Sequence, residues 1–270
     1  MNNEHSGPAE SCLACVPADE SINMNTPTNS NPEREIDPVF QFVPGFPRRI
    51  KPEDLAFFDQ LLGQAVIIRD ESMQICWCND AYVRMGSGRS REQIIGSTML
   101  DFMAPIAAKE REDILRGVIR TENPAAYIQF CGDKRLLDIL LPLDPDAFGK
   151  HGVLIVIMNA PLSSPNDIDE SVPLVTTPCL NELDTLSARE LEVFYYIATG
   201  LANSEIAEIL FRAVKTVENH VASIHRKLQT SNRSKLVRYG VERGIPAFTI
   251  EQWKALISGA TRVRKSLANG

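Results

Sequence analysis

No stretch of this 270-residue chain approaches the ~18 consecutive apolar residues of a membrane-spanning helix. The N-terminus, MNNEHSGPAE, also lacks the apolar segment of a secretory signal, so a cytoplasmic protein with no membrane partner is expected. Cysteine is sparse: Cys12, Cys15, Cys76, Cys78, Cys131 and Cys179 are too few and too irregular for a disulfide scaffold in a chain this long. Cys12 and Cys15 have metal or redox spacing, but no second pair or nearby histidine completes a site. There is no glycine-rich phosphate loop, no nucleophile paired with a base and no metal cluster, which argues against an enzyme. Net positive charge is missing too, since the chain totals -7, a value that taken whole speaks against a nucleic-acid partner.

What is present changes that last inference. Residues 181–270 carry 13 Lys and Arg against 9 Asp and Glu, a balance of +4, whereas residues 1–180 carry 15 against 26, a balance of -11. An acidic total thus conceals a basic C-terminal third, the asymmetry expected when one domain meets phosphate. Hydrophobic residues at 44% and charged residues at 23% are the ordinary mix of a globular protein, and the length suggests about two domains.

Residues 1–50 are rich in Asn, Pro, Ser and Glu with little apolar periodicity, and read as a disordered tail. From Pro52 the pattern changes. PEDLAFFDQLLG places Leu55, Phe58, Leu61 and Leu62 on a helical stripe. The runs 65–70 (AVIIRD) and 74–78 (QICWC) predict a hairpin. Asn79 can cap a short helix, DAYVRM, and SREQIIG makes another. APIAAKEREDILRGVIRT is a longer amphipathic helix, and strands follow at 125–131, 135–143 and 152–158. Two strands, a cluster of helices and three strands predict one α+β domain over 52–160.

That order, with Asn79 and Ala81 in WCNDAYVRM and the SREQIIG segment, resembles a PAS sensor domain. The resemblance implies a five-stranded antiparallel sheet with helices, curled around a pocket for a small ligand or a protein partner. It predicts no cofactor. The flavin-adduct subclass needs a cysteine shortly after the glycine matching Gly96, where this chain has Met99 in GSTMLDFM. Histidine-ligated haem is disfavoured because the histidines are His5, His151, His220 and His225, leaving residues 52–150 with none. Cys76, Cys78 and Cys131 alternate with large side chains and read as core packing.

Residues 161–182 hold prolines and acids without helical period and read as a linker. Beyond it, Ser187 stands three residues before Glu190 in LSARELEVFYYIATG, a capping box at a helix start. Leu191, Phe194, Ile197 and Leu201 share a face, and Gly200 supplies the left-handed residue that ends the helix. NSEIAEILF predicts a short helix burying Ile206, Ile209 and Leu210. After a tight turn, KTVENHVASIHRKLQ puts Val217, Val221, Ile224 and Leu228 on an inner stripe, with Lys215, Glu218, Asn219, Ala222 and Arg226 opposite. A short helix, a tight turn and a longer helix with a polar outer face predict a helix-turn-helix. His220 and His225 are five apart and do not share a face as metal ligands would.

The segments LSARELEVF, ATGLANSEIAEIL, KTVENHVASIHRKL and SNRSKLVRYGVERG resemble the LuxR-type domain of the LuxR and NarL/FixJ regulators. The resemblance implies a separate all-α domain of four helices over 183–247, the third entering the major groove and the fourth often forming a dimer contact. Carried over by position, Glu218, Asn219 and Ala222 fall where bases are read, and Lys215, Thr216, Arg226 and Lys227 on or beside phosphates. Two departures stand out. Ala202 replaces the usual hydroxyl cap of the second helix, and Ala213-Val214 replaces a Ser-Pro before the third. Residues 248–270 read as an amphipathic helix, FTIEQWKALIS, and a basic tail whose Arg262, Arg264 and Lys265 are either solvated or near phosphate. The whole predicts a transcription regulator binding a palindromic operator in double-stranded DNA as a homodimer. Its PAS domain would sense a small ligand or, alternatively, dock a kinase or co-regulator. No phosphorylated receiver domain and no aromatic acyl-homoserine-lactone pocket is recognisable ahead of the reader.

Overall fold

The computed structural model describes residues 49–60, 63–85, 88–132, 134–160 and 172–268. The tail expected over 1–50, with Cys12, Cys15 and His5, lies outside them apart from Arg49 and Ile50, as do Leu61 and Leu62 of the first helical stripe. In chain order the elements are α1 (Leu55–Asp59), β1 (Ala65–Asp70), β2 (Ile75–Cys78), α2 (Asp80–Met85), α3 (Arg91–Ile94) and α4 (Pro105–Thr121). Then come β3 (Ala125–Cys131), β4 (Lys134–Pro142), α5 (Pro145–Phe148) and β5 (Gly152–Asn159). The chain continues as α6 (Ala188–Ala198), α7 (Asn203–Ile209), α8 (Val214–Lys227), α9 (Arg233–Glu242) and α10 (Ile250–Ala268). Five strands form one antiparallel sheet in the order β2-β1-β5-β4-β3, with α2, α3 and α4 inserted between the second and third strands. This is the expected α+β arrangement, a five-stranded sheet with helices, followed by an all-helical segment.

The described residues group into two compact units whose division runs through the sheet. One comprises residues up to Phe102 with Ile114–Ala125 and Ile139–Val156; the other comprises Met103–Asp113, Ala126–Asp138 and Ile157 onward.

In the first unit β1 and β2 make the expected hairpin, with Ile67 opposite Cys78 and Ile68 opposite Trp77 and a bulge between Ile68 and Arg69. Its turn is held by Asp70, whose Oδ1 accepts from the amides of Ser72 (3.0 Å) and Gln74 (3.1 Å). Asn79 does more than cap α2. Its Oδ1 accepts from the amides of Tyr82 (3.1 Å) and Val66 (3.0 Å), and its Nδ2 donates to the carbonyls of Phe58 (3.2 Å) and Gln64 (2.9 Å). One buried amide thereby ties α1, β1 and α2 together with all its hydrogen-bonding capacity used. The chain enters this unit at Ile50, fully buried and bridged to Leu143.

In the second unit, residues 172–180 are not a free spacer. Ile128 donates its amide to Pro173 O (2.9 Å), and the amides of Val175 and Cys179 donate to Ile128 O (2.8 Å) and Phe130 O (2.9 Å). The segment therefore runs alongside β3, with one isolated parallel bridge between Ile128 and Leu174, and its bonds satisfy backbone groups that an edge strand otherwise exposes. Phe130 meets the ring of Trp253 edge-on at 5.7 Å between centroids, and Phe248 at 6.1 Å. The basic tail expected over TRVRKSLANG, residues 261–270, is as far as Ala268 a continuation of α10. Arg264 donates to the Asp184 carboxylate (2.9 Å) and to the carbonyls of Asp184 and Leu186, and Arg262 donates to Thr176 Oγ1 (2.9 Å). These polar partners, distant in sequence, hold a stretch with little apolar pattern in helical form.

Candidate nucleic-acid interface

The helical segment is built around α6. Its start is the predicted capping box: Ser187 Oγ accepts from the Glu190 amide (3.3 Å), and Glu190 Oε2 accepts from the Ser187 amide (2.7 Å). Leu191, Phe194 and Ile197 are buried as expected, and Gly200, at φ 93°, turns the chain out of the helix. α10 closes over α6, with Trp253 Nε1 donating to Leu191 O (2.9 Å) and Tyr195 Oη to Phe248 O (2.9 Å).

α7 begins at Asn203 with Ala202 at its cap position. The hydroxyl half of a capping box is missing, but the carboxylate half survives: Glu205 Oε2 accepts from the Ala202 amide (2.6 Å). Arg233 of α9 supplies further order, donating to Asn203 Oδ1 (2.7 Å) and to Leu201 O. Sequence reasoning passed over Arg233 because its partners lie some thirty residues earlier. α7 buries Ile206 and Ala207; Ile209, expected inside, is 44% exposed because the α8 stripe covers only the side of α7 that carries Ile206.

α8 carries the predicted division of faces. Val217, Val221, Ile224 and Leu228 are buried, each large side chain contributing ~1.5–3 kcal/mol to holding the helix in place. Lys215, Thr216, Glu218, Asn219, Ala222 and Arg226 are all exposed. Lys215, Glu218, Asn219, Ala222 and Arg226 fall at helical spacings of three or four, so they form one continuous stripe. Lys215 Nζ lies 3.1 Å from Glu218 Oε2, and Arg226 Nη2 donates to Ser223 Oγ (3.1 Å). Such exposed contacts contribute little and rearrange readily when a partner arrives.

Lys227 differs from the other six expected contact residues. Its Nζ reaches back to Glu190 Oε2 at 2.6 Å, joining the last turn of α8 to the cap of α6. Burial alone would raise the Glu190 pKa, but hydrogen bonds from Lys227, Ser223 and Ser187 outweigh it and hold the carboxyl at about 2. His225 faces Thr230, its Nδ1 2.8 Å from Oγ1, and closes the turn after α8.

The start of α8 has Ala213 at the cap with no side-chain acceptor. Amides of the first turn thus have no hydroxyl or carboxylate at the cap, and the positive end of the helix dipole faces outward beside the exposed stripe.

This arrangement of three helices, with a fourth packed behind them, matches a family model described as bacterial regulatory proteins, luxR family, over residues 184–240. The chain is 46% identical over 63 residues to the oxygen regulatory protein NreC of Staphylococcus carnosus, covering 23% of this chain and 29% of that protein. It is 43% identical over 68 residues to the transcriptional regulatory protein LnrK of Bacillus subtilis, covering 25% and 31%. The chain thus spans less than a third of the length of these relatives. Among solved structures, the VqmA dimer of Vibrio cholerae in the absence of target DNA aligns with 76% of this chain and 93% of its own, at TM-score 0.38 and 19% identity. A PAS domain from Colwellia psychrerythraea aligns with 40% and 94%, at TM-score 0.33 and 15% identity. Residues 184–240 of this chain are a LuxR-type helix-turn-helix domain.

Proposed function

We propose that the protein is a transcription regulator, not an enzyme, that reads double-stranded DNA with the exposed stripe of α8 while its PAS-like domain responds to a small ligand. The stripe is the observation that carries this reading. Asn219 can bond bidentately to adenine, Glu218 can accept from cytosine N4, and Ala222 can meet a thymine methyl. In this reading Lys215, Thr216 and Arg226 engage phosphates, adding affinity that falls with salt. Lys227 acts differently in this reading: by holding Glu190 it sets the angle of α8 against α6, and it is a positioning residue more than a phosphate ligand. Binding as a two-fold dimer requires half-sites about one helical turn apart.

Selection from a random duplex library with the full chain tests the proposal. Recovery of a palindromic motif supports it, and a pool with no enriched sequence contradicts it. A second reading, in which the PAS-like domain docks a protein, draws support from Phe57 and Leu100, each 60% exposed. A small molecule carried by the natively purified protein would favour sensing, and a kinase or co-regulator partner abolished by Phe57→Ser would favour docking.

A further inference from the structure

Glu110 and Arg111 are neighbours near the start of α4, and both act on the segment laid along β3. The Glu110 carboxylate takes four donors: the amide and hydroxyl of Thr176 at 2.8 and 2.9 Å on Oε1, and the amide (3.0 Å) and hydroxyl of Thr177 on Oε2. Burial opposes its charge, but these bonds prevail and its pKa is lowered. Arg111, 2% exposed, donates through Nη1 to Thr177 Oγ1 (3.2 Å) and through Nη2 to Thr177 O (3.1 Å). Its Nε donates to Gln129 Oε1 on β3 (3.0 Å), and Gln129 Nε2 donates to Asp138 Oδ2 on β4 (2.7 Å). Asp138 is 2% exposed, and Tyr127 also hydrogen-bonds to its carboxylate.

The same two threonines meet α10. Gly259 lies so close to the segment that a Cβ there would stand 1.6 Å from Thr176 O, and Arg262 of the same helix donates to Thr176 Oγ1. Six residues before Gly259, Trp253 is bonded to α6. A continuous set of hydrogen bonds and tight packing therefore runs from Asp138 through Gln129, Arg111 and Thr177 to Thr176, α10 and the helix-turn-helix.

We infer that the segment 172–179, latched by Glu110 and Arg111, is the element that couples the first turns of α4 and the strand β3 to α10 and so to the DNA-reading helices. The inference rests on the DNA-reading proposal above for its consequence but not for its mechanics. Its physical content is that the latch is all or none. Glu110 accepts four bonds from two adjacent residues, so losing Thr177 leaves a partly buried carboxylate under-satisfied and favours release of both threonines. Released, the segment no longer presses Thr176 O against Gly259, and α10 is free to shift. A change at the latch therefore moves α10.

The test uses hydrogen exchange on the full chain with Thr177→Val, which removes one hydroxyl at nearly constant volume, and Glu110→Gln, which weakens the latch from the other side. Affinity for the duplex selected by the wild type is measured alongside. Both variants are expected to raise exchange of the amides of Val175, Thr176, Thr177 and Cys179 at least tenfold. Amides of α10 around Gly259 should follow, those of β1 and β2 should keep wild-type rates, and duplex affinity should change at least threefold. A loosened segment with α10 exchange and duplex affinity both unaltered overturns the inference, and so does a segment that neither variant loosens. If no duplex is ever selected, the proposed function fails by itself, while the α10 exchange still decides whether the segment transmits.

Discussion

Asn219 stands exposed on α8, and Ala222 one turn on carries only a methyl group. Replacing Asn219 with Ala is expected to cost about 1–3 kcal/mol of discrimination at one base position while leaving the fold intact, as read by selection profiles and circular dichroism. Glu190 gives a prediction of opposite kind. Its folded pKa of about 2 lies below the ordinary 4.5, so it contributes stability that is fully present above pH 4.5 and lost as pH falls through about 2. In thermal melts, Glu190→Gln should lose on the order of 2 kcal/mol relative to wild type near neutrality, and the gap should close toward pH 2. Asp138 reverses the sign. Burial raises its pKa to about 6 from 3.8, so its contribution is present below pH 3.8 and lost as pH rises through about 6. Asp138→Asn keeps an oxygen for Gln129, so its melting temperature should exceed that of wild type above pH 6 and converge with it below pH 4.

At the scale of elements, α8 starts without a side-chain cap, and Ala213→Ser supplies one at a residue whose backbone is already extended (φ -66°, ψ 141°). The variant should gain about 0.5–2 kcal/mol in denaturant unfolding and bind the selected duplex more tightly, because a better-ordered first turn presents Lys215 and Thr216 in place. An unchanged midpoint would show that the bare cap costs nothing. Elements also show how far the chain could be read without a structure. Strands 65–70 and 125–131 coincide with β1 and β3 because continuous apolar runs bounded by turn residues are local signals. The inner stripe of α8 was legible for the same reason, its four apolar residues repeating at helical spacing. What escaped was non-local. The pairing of 173–179 with β3, the hold of Arg233 on α7 and the Lys227–Glu190 ion pair, 37 residues apart in sequence, leave no periodic trace. The helical course of 259–268 escaped because its basic residues look solvated until Asp184, Leu186 and Thr176 are brought beside them.

For the whole molecule, the net charge of -7 divides into -11 over residues 1–180 and +4 over 181–270. Affinity for non-specific duplex should therefore be modest and fall steeply with salt, since few cations offset the acidic part. Plotting log affinity against log salt, Arg226→Ala should reduce the slope by about 1. Lys227→Ala should reduce it less and lower the melting temperature instead, because that ammonium already serves Glu190. The central claim is that α8 reads sequence. Genome-wide footprinting of wild type beside Asn219→Ala tests it most directly. The account predicts discrete palindromic sites for the wild type and lost or relaxed occupancy for the variant. The same sites occupied by both proteins would contradict the assignment of Asn219, and no occupancy by either would contradict DNA reading altogether.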